Sequence, residues 1–480
     1  MSRLEGGPVL VAAPPDPAPA AAPAESPPAA APVAPATVPA GIVGGFARAA
    51  HLLAALFVAS LLIVPAAYTV TSAAACAAAL VAGAPGWRGR AGRVFGAMAV
   101  FVVPCLVFLA VVLVAILTGD PKNQYKTHLL IALLTLWVGL SGVPAMLPDV
   151  RRWFLPAAAL GALASLVLAG WQVVVEGHVR AMGLLGWGQN WSGSVKFGAM
   201  AAVQGLLALV LFIRTDRGWR HWLGLAGFLA SAGTLGFAQA RGGLLGYLLG
   251  MIALAWVSRR ALLSRRGRVD PPTRRRTTLH IALVGLTALT LAAVSMQSRL
   301  ADIGPQLERY ERGDAASEVG QRLALWHASL LAIRHAPWTG SGFGRFPREI
   351  ERQRTAGEIP PGIQLIYGQT HNEYLAAFVD GGIVAGVAAT AMFVLPVLLL
   401  LRRLSRQPED GPAAHAALAV AVAFAGFALT DNLFDRQLTV ISFYFLMCWL
   451  LSAAAPRASP PARATPVAPV ASGAPGAPGA

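Results

Sequence analysis

Long apolar runs recur along most of this chain, and they constrain its fold more than any other feature. About 20 apolar residues suffice for one helix to cross a bilayer, and lipid offers an exposed backbone no hydrogen-bond partner. The runs are therefore predicted to be helices. Only 12% of the residues are charged and 56% are hydrophobic, whereas a soluble domain carries about 25% charged residues. About 12 spans are predicted, at 49–67, 69–85, 94–117, 128–147, 154–175, 195–213, 221–240, 243–258, 278–297, 373–401, 413–430 and 438–454.

The two ends of the chain differ from its apolar centre. Residues 1–42 and 456–480 are rich in Ala and Pro, as in "APPDPAPAAAPAESPPAAAPVAPA", and such sequence has little apolar surface to bury. We predict disordered cytoplasmic tails there, transmembrane helices 1–9 over 43–297, a periplasmic loop over 298–372, and helices 10–12 over 373–455. The expected fold is an all-α integral membrane protein, a polytopic bundle with one large, partly helical periplasmic loop.

Arginine-rich loops indicate the orientation of this bundle. Short cytoplasmic loops of membrane proteins carry an excess of Lys and Arg. Such loops follow every second predicted helix, at 88–93, 151–152, 214–220, 259–276 and 402–406, so that all of them lie on one side of the membrane. We therefore predict these loops and both tails to be cytoplasmic. The formal net charge of +16 is explained by this placement and does not indicate a nucleic-acid partner.

The three cysteines predict no covalent or metal chemistry. Cys76, Cys105 and Cys448 each lie inside an apolar run, and none has CxxC spacing. Neither a disulfide framework nor a metal site is expected from this pattern.

The predicted loop at 298–372 is the only extramembrane segment between the tails that is large enough to fold. Its stretch "QRLALWHASLLAIRHA" predicts a helix with Leu323, Trp326 and Leu330 on one face. Pro337 and the glycines of "PWTGSGFGRF" then end that helix.

Two arginines lie on the predicted periplasmic side, opposite to the basic loops. Arg241 occupies the tight turn of "GFAQARGGLLGYLLG", and Arg180 lies in the apolar loop "EGHVRAMGLLGWGQNW". Gly242 and Gly243 leave the backbone bare beside Arg241, which gives a ligand room to approach. Either both side chains reach lipid phosphates at the interface, or they converge on an anionic substrate.

A histidine ends the large loop, in "GQTHNEYLAAFVDGG" at 368–382. One interpretation is an interfacial residue beside a helix N-cap at Asn372. The other is a general base, because a neutral imidazole is the commonest base near neutral pH. Glu373 and Asp380 lie seven residues apart on one helix face, which suggests a polar-lined cavity behind His371.

These segments resemble the O-antigen ligase and polymerase superfamily of bacterial inner-membrane glycosyltransferases, most closely its lipopolysaccharide O-antigen ligases. The stretch "THNEYLAAFVDGGIVAG" is similar to the family pattern of His, then Asn, Ser or Gln, and two later glycines. His371, Asn372 and Gly382 match it, whereas Ala385 stands at the last glycine, with Gly386 one residue later. The stretches "QRLALWHASLLAIRHAPWTGSGFGRF" and "QARGGLLG" are similar to the family's Arg…Trp…Pro-x-x-Gly-x-Gly segment and its arginine-glycine turn.

The resemblance implies transfer of a glycan from undecaprenyl diphosphate to a sugar hydroxyl of lipid A–core, at the periplasmic face of the inner membrane. It assigns catalysis to His371 as general base and substrate binding to Arg180, Arg241, Arg322 and Asn372. No DxD motif occurs in the chain, and a lipid-linked donor needs no nucleotide-sugar site. A reaction without metal or cofactor is therefore expected.

Three alternatives remain open at this stage. An O-antigen polymerase would use a second lipid-linked glycan as acceptor and is described with Arg-x10-Gly motifs in two large external loops. This chain has one such loop, with Arg309 and Gly320 at that spacing, and such a match is weak in a chain with 50 glycines. A protein O-oligosaccharyltransferase would use a serine or threonine of a protein as acceptor. A transporter of lipid-linked sugars would favour two repeated halves and mid-bilayer charges, neither of which the sequence displays.

Overall fold

A computed structural model of this chain describes residues 40–62, 67–83, 87–119, 123–146, 149–183, 193–264, 271–359, 369–407 and 410–455. Its elements are helices: α1 Ala40–Ser60, α2 Ala67–Gly83, α3 Trp87–Thr118, α4 Asn123–Leu140, α5 Val143–Met146, α6 Phe154–Gly170 with a π turn Trp171–Val175, α7 Gly193–Arg214, α8 Trp219–Ala238, α9 Arg241–Ser264, α10 Pro271–Ala301, α11 Ile303–Glu311, α12 Glu318–His335, α13 Phe346–Thr355, α14 Glu373–Arg406, α15 Pro412–Ala428 and α16 Gln437–Ala453. The predicted tails lie outside the described residues, except that α1 begins within the first of them.

Every predicted apolar run overlaps one of these helices. Within the part of the chain that the structure describes, seven helices are long and apolar enough to cross a membrane. They are Val43–Ser60, Gly89–Thr118, Tyr125–Met146, Phe154–Val175, Gly193–Arg214, Arg241–Arg260 and Glu373–Arg406. Shorter apolar helices occur at Ala67–Gly83, Ala282–Leu291, Pro412–Ala428 and Gln437–Ala453. The all-α, multi-pass fold is thus confirmed, whereas the total number of crossings and the domain boundaries stay predictions.

Three helices form the interior of the bundle. α7, α15 and α16 are buried along nearly their whole lengths. Small residues let the neighbouring helices approach closely, which is how apolar helices associate where lipid supplies no hydrophobic drive. A Cβ at Gly224 of α8 would lie 2.6 Å from the Phe212 nitrogen of α7, and one at Gly227 would lie 2.7 Å from Ala159 Cα of α6.

Three of the basic loops meet at one end of the bundle. The Arg151 side chain donates to the Arg214 carbonyl at 3.0 Å, and the Arg214 side chain donates to the Asp410 carbonyl at 3.0 Å. Arg403 forms an ion pair with the Asp410 carboxylate at 2.6 Å. These contacts place the loops at 151–152, 214–220 and 402–406 together, in agreement with the predicted sidedness. The compartment that this end faces stays a prediction.

The helix predicted in the large loop is α12, and its alanine-rich face is the buried one. Ser317 caps it, its hydroxyl accepting from the Gly320 N–H at 3.0 Å, and α12 ends before Pro337. The buried residues are Ala324, Leu325, Ala328 and Ala332, whereas Leu330 is 49% exposed. The alanine face packs in one cluster with Phe346 and Ile350 of α13 and Val379 of α14, so the face of Leu323, Trp326 and Leu330 is not the buried one.

The long helix α14 is broken where its backbone leaves the helical region, at Gly382 (φ 66°, ψ −161°). A segment of the large loop, residues 337–343, reaches into this break and is called the loop insert below. Three backbone hydrogen bonds join the two: Ser341 N to Val379 O (2.6 Å), Gly342 N to Asp380 O (3.1 Å) and Ile383 N to Pro337 O (2.9 Å). The loop thus pairs backbone groups that the broken helix leaves over, as a membrane segment requires.

Glycines on both sides make this close contact possible. A Cβ at Gly340 would lie 2.6 Å from the Gly382 nitrogen, and one at Gly382 would lie 2.7 Å from the Thr339 nitrogen. Both glycines have positive φ, 67° and 66°, which L side chains rarely adopt. The two sequence motifs "PWTGSGFGRF" and "DGG" are therefore parts of one contact. Ala385, at the place of the family's last glycine, is fully buried nearby.

Candidate active site

His371 lies just before the first turn of α14 and is held by a carboxylate. Its Nδ1 is 3.2 Å from Asp431 Oδ1, in the turn between α15 and α16, and the His371 side chain is 19% exposed. Its backbone has φ 49°, a region that few non-glycine residues occupy. The Asp431 carboxylate favours the tautomer with the proton on Nδ1, so that Nε2 carries the lone pair. A base needs this arrangement.

Asn372 caps the same helix. Its Oδ1 accepts from the Leu375 N–H at 3.1 Å, and its Nδ2 donates to the Leu429 carbonyl at 3.2 Å. The side-chain amide therefore stabilises the start of α14 and joins it to the end of α15. Its role in substrate binding stays a prediction.

A buried lysine completes the surroundings of His371. Lys196, in the first turn of α7, forms ion pairs with Asp431 Oδ2 at 2.8 Å and with Asp435 Oδ1 at 2.9 Å. It also donates to the Asn432 carbonyl. Burial raises the pKa of the Asp431 carboxyl, but Lys196 and His371 more than offset this, so that its pKa lies below the ordinary value. Asp431 is therefore an anion next to His371.

Lys196, Asp431 and Asp435 were not among the site residues predicted from the sequence. A signal was present, because the predicted external loop 431–437 holds two carboxylates within seven residues, between two apolar runs. Lys196 similarly stands at the start of an apolar run. Charges in such positions are costly unless they are paired or functional, and here they are paired with each other.

Glu373 and Asp380 have different partners among the described residues. Glu373 is buried, and its Oε2 accepts from the Leu433 and Phe434 N–H groups at 2.6 and 3.1 Å. It thereby holds the α15–α16 turn beneath His371. Asp380 accepts from the Tyr125 hydroxyl at 3.4 Å. It lines a cavity of about 650 Å³, between α3 and the loop insert.

Arg241 is the first residue of α9, and its neighbours pack against the turn that carries Asp431. A Cβ at Gly242 would collide with Thr430 Oγ1, and one at Gly243 would lie 2.8 Å from the Gly198 carbonyl carbon of α7. The predicted room for a ligand beside these glycines is therefore filled by Thr430 and Gly198. The same packing brings the start of α9 next to the turn that holds His371.

Arg180 and Arg322 both lie near the start of α12. Arg180 Nη2 is 3.1 Å from Glu318 Oε1, and Arg322 follows Glu318 by one helical turn, on the same face. The Ala181 N–H donates to the Phe237 carbonyl at 2.9 Å, close before Arg241 in the chain. A series of contacts therefore joins the segments that carry Arg180, Arg322, Arg241 and His371 at one end of the bundle.

Comparison with known proteins identifies the region that holds most of these residues. A family model described as "O-Antigen ligase" matches residues 226–390, which include Arg241, Arg322, His371 and Asn372 but leave out Arg180. An uncharacterized protein of Haemophilus influenzae is 28% identical over 134 residues, which cover 27% of this chain and 33% of that protein. The alignment thus spans about a third of that relative's length. With the motifs of the large loop, the family match over residues 226–390 supports a relationship of this chain to the O-antigen ligase superfamily.

Proposed function

We propose that this protein is an O-antigen ligase, which transfers a glycan from undecaprenyl diphosphate to a sugar hydroxyl of lipid A–core. The observation that carries this proposal is the pairing of His371 with a buried, ionised carboxylate at the end of the large loop. The family match over residues 226–390 supports ligase-type or polymerase-type chemistry in general. Undecaprenyl diphosphate as donor and lipid A–core as acceptor are proposed from the resemblance to the ligases.

His371 is the general base in this reaction. Its Nε2 takes the proton from the acceptor hydroxyl as that oxygen attacks the anomeric carbon of the donor sugar. The new glycosidic bond forms while the bond between the anomeric carbon and the diphosphate oxygen breaks, and undecaprenyl diphosphate leaves. Asp431 holds the Nδ1–H at 3.2 Å and stabilises the imidazolium that forms. Such a base contributes roughly 100- to 10,000-fold to the rate.

Guanidinium groups neutralise the charge that builds on the departing diphosphate. Arg241 is the first candidate, because the start of α9 packs against the turn that carries Asp431. Arg180 is the second, and its ion pair with Glu318 must open or be shared when the diphosphate binds. Arg322, one turn after Glu318, is the third. Each charge-assisted contact between a guanidinium group and the diphosphate is worth about 1.5–3 kcal/mol. Because a diphosphate is also a good leaving group, we propose a reaction that uses no metal or cofactor.

The reaction is proposed to take place at the periplasmic face of the inner membrane. His371 is at the opposite end of α14 from Arg403, whose loop joins the other basic loops. Since basic loops stay in the cytoplasm, this geometry favours a periplasmic site. Both partners in the reaction, the lipid-linked glycan and lipid A–core, would then reach the site from the outer leaflet.

Electrophoresis of lipopolysaccharide from a strain lacking the gene tests this function. Loss of a ligase removes the whole glycan ladder and leaves lipid-linked polymer in the membrane. Loss of a polymerase instead leaves core bearing one repeat unit, and loss of a protein glycosyltransferase leaves the ladder intact. Loss of a transporter stops the supply of lipid-linked glycan, so the ladder disappears without accumulation of polymer. Only the first pattern agrees with the proposal.

A further inference from the structure

Lys196 is a buried charged residue in the first turn of a helix that is mostly buried and apolar. Its side chain is 7% exposed, and α7 is 94% buried over its most apolar stretch. Burial of an ammonium group is strongly unfavourable unless partners compensate for it. An apolar side chain would pack there without this cost, so the lysine calls for a role that apolar packing does not supply.

We infer that Lys196 is a positioning residue for the proposed transfer, which holds Asp431 in the orientation that presents its Oδ1 to His371 Nδ1. The inference rests on the proposed function and adds to it. Lys196 lies outside residues 226–390, which the family model matches. It acts on His371 through Asp431 and touches no reacting atom.

The geometry of Asp431 is the first support. Its two oxygens have different partners: Oδ1 faces His371 Nδ1 at 3.2 Å, and Oδ2 faces Lys196 Nζ at 2.8 Å. A carboxylate held at both oxygens cannot rotate away from the imidazole. Lys196 reaches across to Asp435 at 2.9 Å as well, so one ammonium group fixes both carboxylates of the α15–α16 turn.

The charge balance around His371 is the second support. Asp431, the partner of His371, lies in the α15–α16 turn with Asp435 and Arg436, and this turn is bound by Lys196 of α7 and Glu373 of α14. Arg241 begins α9, which packs against the same turn at Thr430. Arg436 is 53% exposed and 3.6 Å from Asp435, so water screens its charge. Without Lys196, the turn beside His371 would hold two nearly buried carboxylates, Asp431 and Asp435, with little compensating charge. Excess negative charge favours the imidazolium form, which cannot accept a proton.

Lys196 is not needed merely to hold the turn in place. Glu373 already binds the turn through the Leu433 and Phe434 N–H groups at 2.6 and 3.1 Å. The Gln369 side chain also donates to Asp435 at 2.9 Å. Removal of the lysine charge is therefore expected to alter the contact between Asp431 and His371 more than the fold of the turn.

The test is the pH dependence of transfer by the purified Lys196→Met protein. The probes are undecaprenyl-diphosphate-linked glycan and lipid A–core in detergent micelles. Methionine keeps the length and apolar stem of the side chain and removes its charge. We expect the rate near pH 7 to fall about 10-fold or more, and the acid limb of the pH–rate profile to move upward by about one pH unit. A uniform fall at every pH, or an unchanged profile, overturns the inference.

A charge-compensated variant separates electrostatics from folding. Lys196→Met combined with Asp435→Asn removes one negative charge together with the positive one. The inference requires the acid limb of this double variant to return toward that of the wild type. If the single variant fails to fold and the double variant folds with a wild-type profile, the charge-balance role is upheld. If neither variant folds, Lys196 is a structural residue and the inference is overturned.

His371→Ala in the same assay separates this inference from the proposed function. Transfer by His371→Ala at the wild-type rate refutes the proposed base, whatever Lys196→Met does. An inactive His371→Ala protein beside a Lys196→Met protein with a wild-type profile leaves the proposed function standing and refutes the role of Lys196 alone.

Discussion

Replacement of Gly382 by alanine is expected to detach the loop insert from α14. Gly382 has φ 66° and ψ −161°, a region essentially restricted to glycine, and a non-glycine residue held there costs roughly 1–3 kcal/mol. The new Cβ would also lie 2.7 Å from the Thr339 nitrogen, so the insert has to move. Three backbone hydrogen bonds would then be weakened, each worth about 0.5–1.5 kcal/mol. Together these effects amount to about 3 kcal/mol or more.

Thermal unfolding of the purified protein in detergent measures this loss. We expect the apparent Tm of Gly382→Ala to fall by about 5 °C or more. Transfer activity should fall with it, because the insert links α14 to the loop that ends at His371. Gly304→Ala is the matched control, since a Cβ at this helical glycine meets nothing within 4 Å. Equal Tm values for both variants and the wild type would refute the proposed contact between insert and helix.

Two further substitutions test the arginines and the large loop. Arg241→Lys should lower transfer about 10-fold or more, because lysine cannot make a bidentate contact with phosphate, whereas Arg260→Lys, at the other end of α9, should leave the rate unchanged; equal rates would remove Arg241 from the site. Glu349→Gln should destabilise the loop by about 1 kcal/mol at pH 7. A hydrogen bond from Arg352 is the main cause that lowers the pKa of Glu349 from 4.5 to about 2, so this carboxylate stabilises the fold above about pH 4.5 and loses its effect as the pH falls toward 2. The Tm difference between wild type and variant should therefore narrow between pH 7 and pH 3, and a constant difference would contradict this account.

The helices of this protein were predictable because their signal is local. A run of apolar residues long enough to cross a bilayer has few alternatives to a helix, and the basic loops give its sidedness. The same local reasoning led to Arg241 and His371, since each is a polar residue at the edge of an apolar run. Their arrangement at one end of the bundle follows from topology alone.

The partners of these residues could not be derived in the same way. Lys196 and Asp431 lie far apart in the sequence, and the packing of α7 against α15 brings them together. The sequence places Leu323 and Leu330 on one face of α12, but it does not show that close packing against α13 and α14 buries the alanine face instead.

Glycines were the most ambiguous signal. The sequence suggested that Gly242 and Gly243 make room for a ligand, but Thr430 and Gly198 occupy that space. Gly382 matched a glycine of the family's motif in the sequence. The sequence did not indicate, however, that a loop segment fills the break in α14 at this residue. Both cases depend on which backbone approaches the glycine, and a single sequence does not contain that information.

Glycan transfer by the purified His371→Ala protein tests the central claim most directly. The assay joins undecaprenyl-diphosphate-linked glycan to lipid A–core, with His327→Ala, an exposed histidine of α12, as the matched control. We predict that His371→Ala loses transfer by roughly 100-fold or more while its Tm stays near that of the wild type, and that His327→Ala transfers normally. Transfer by His371→Ala at the rate of the control would contradict the account.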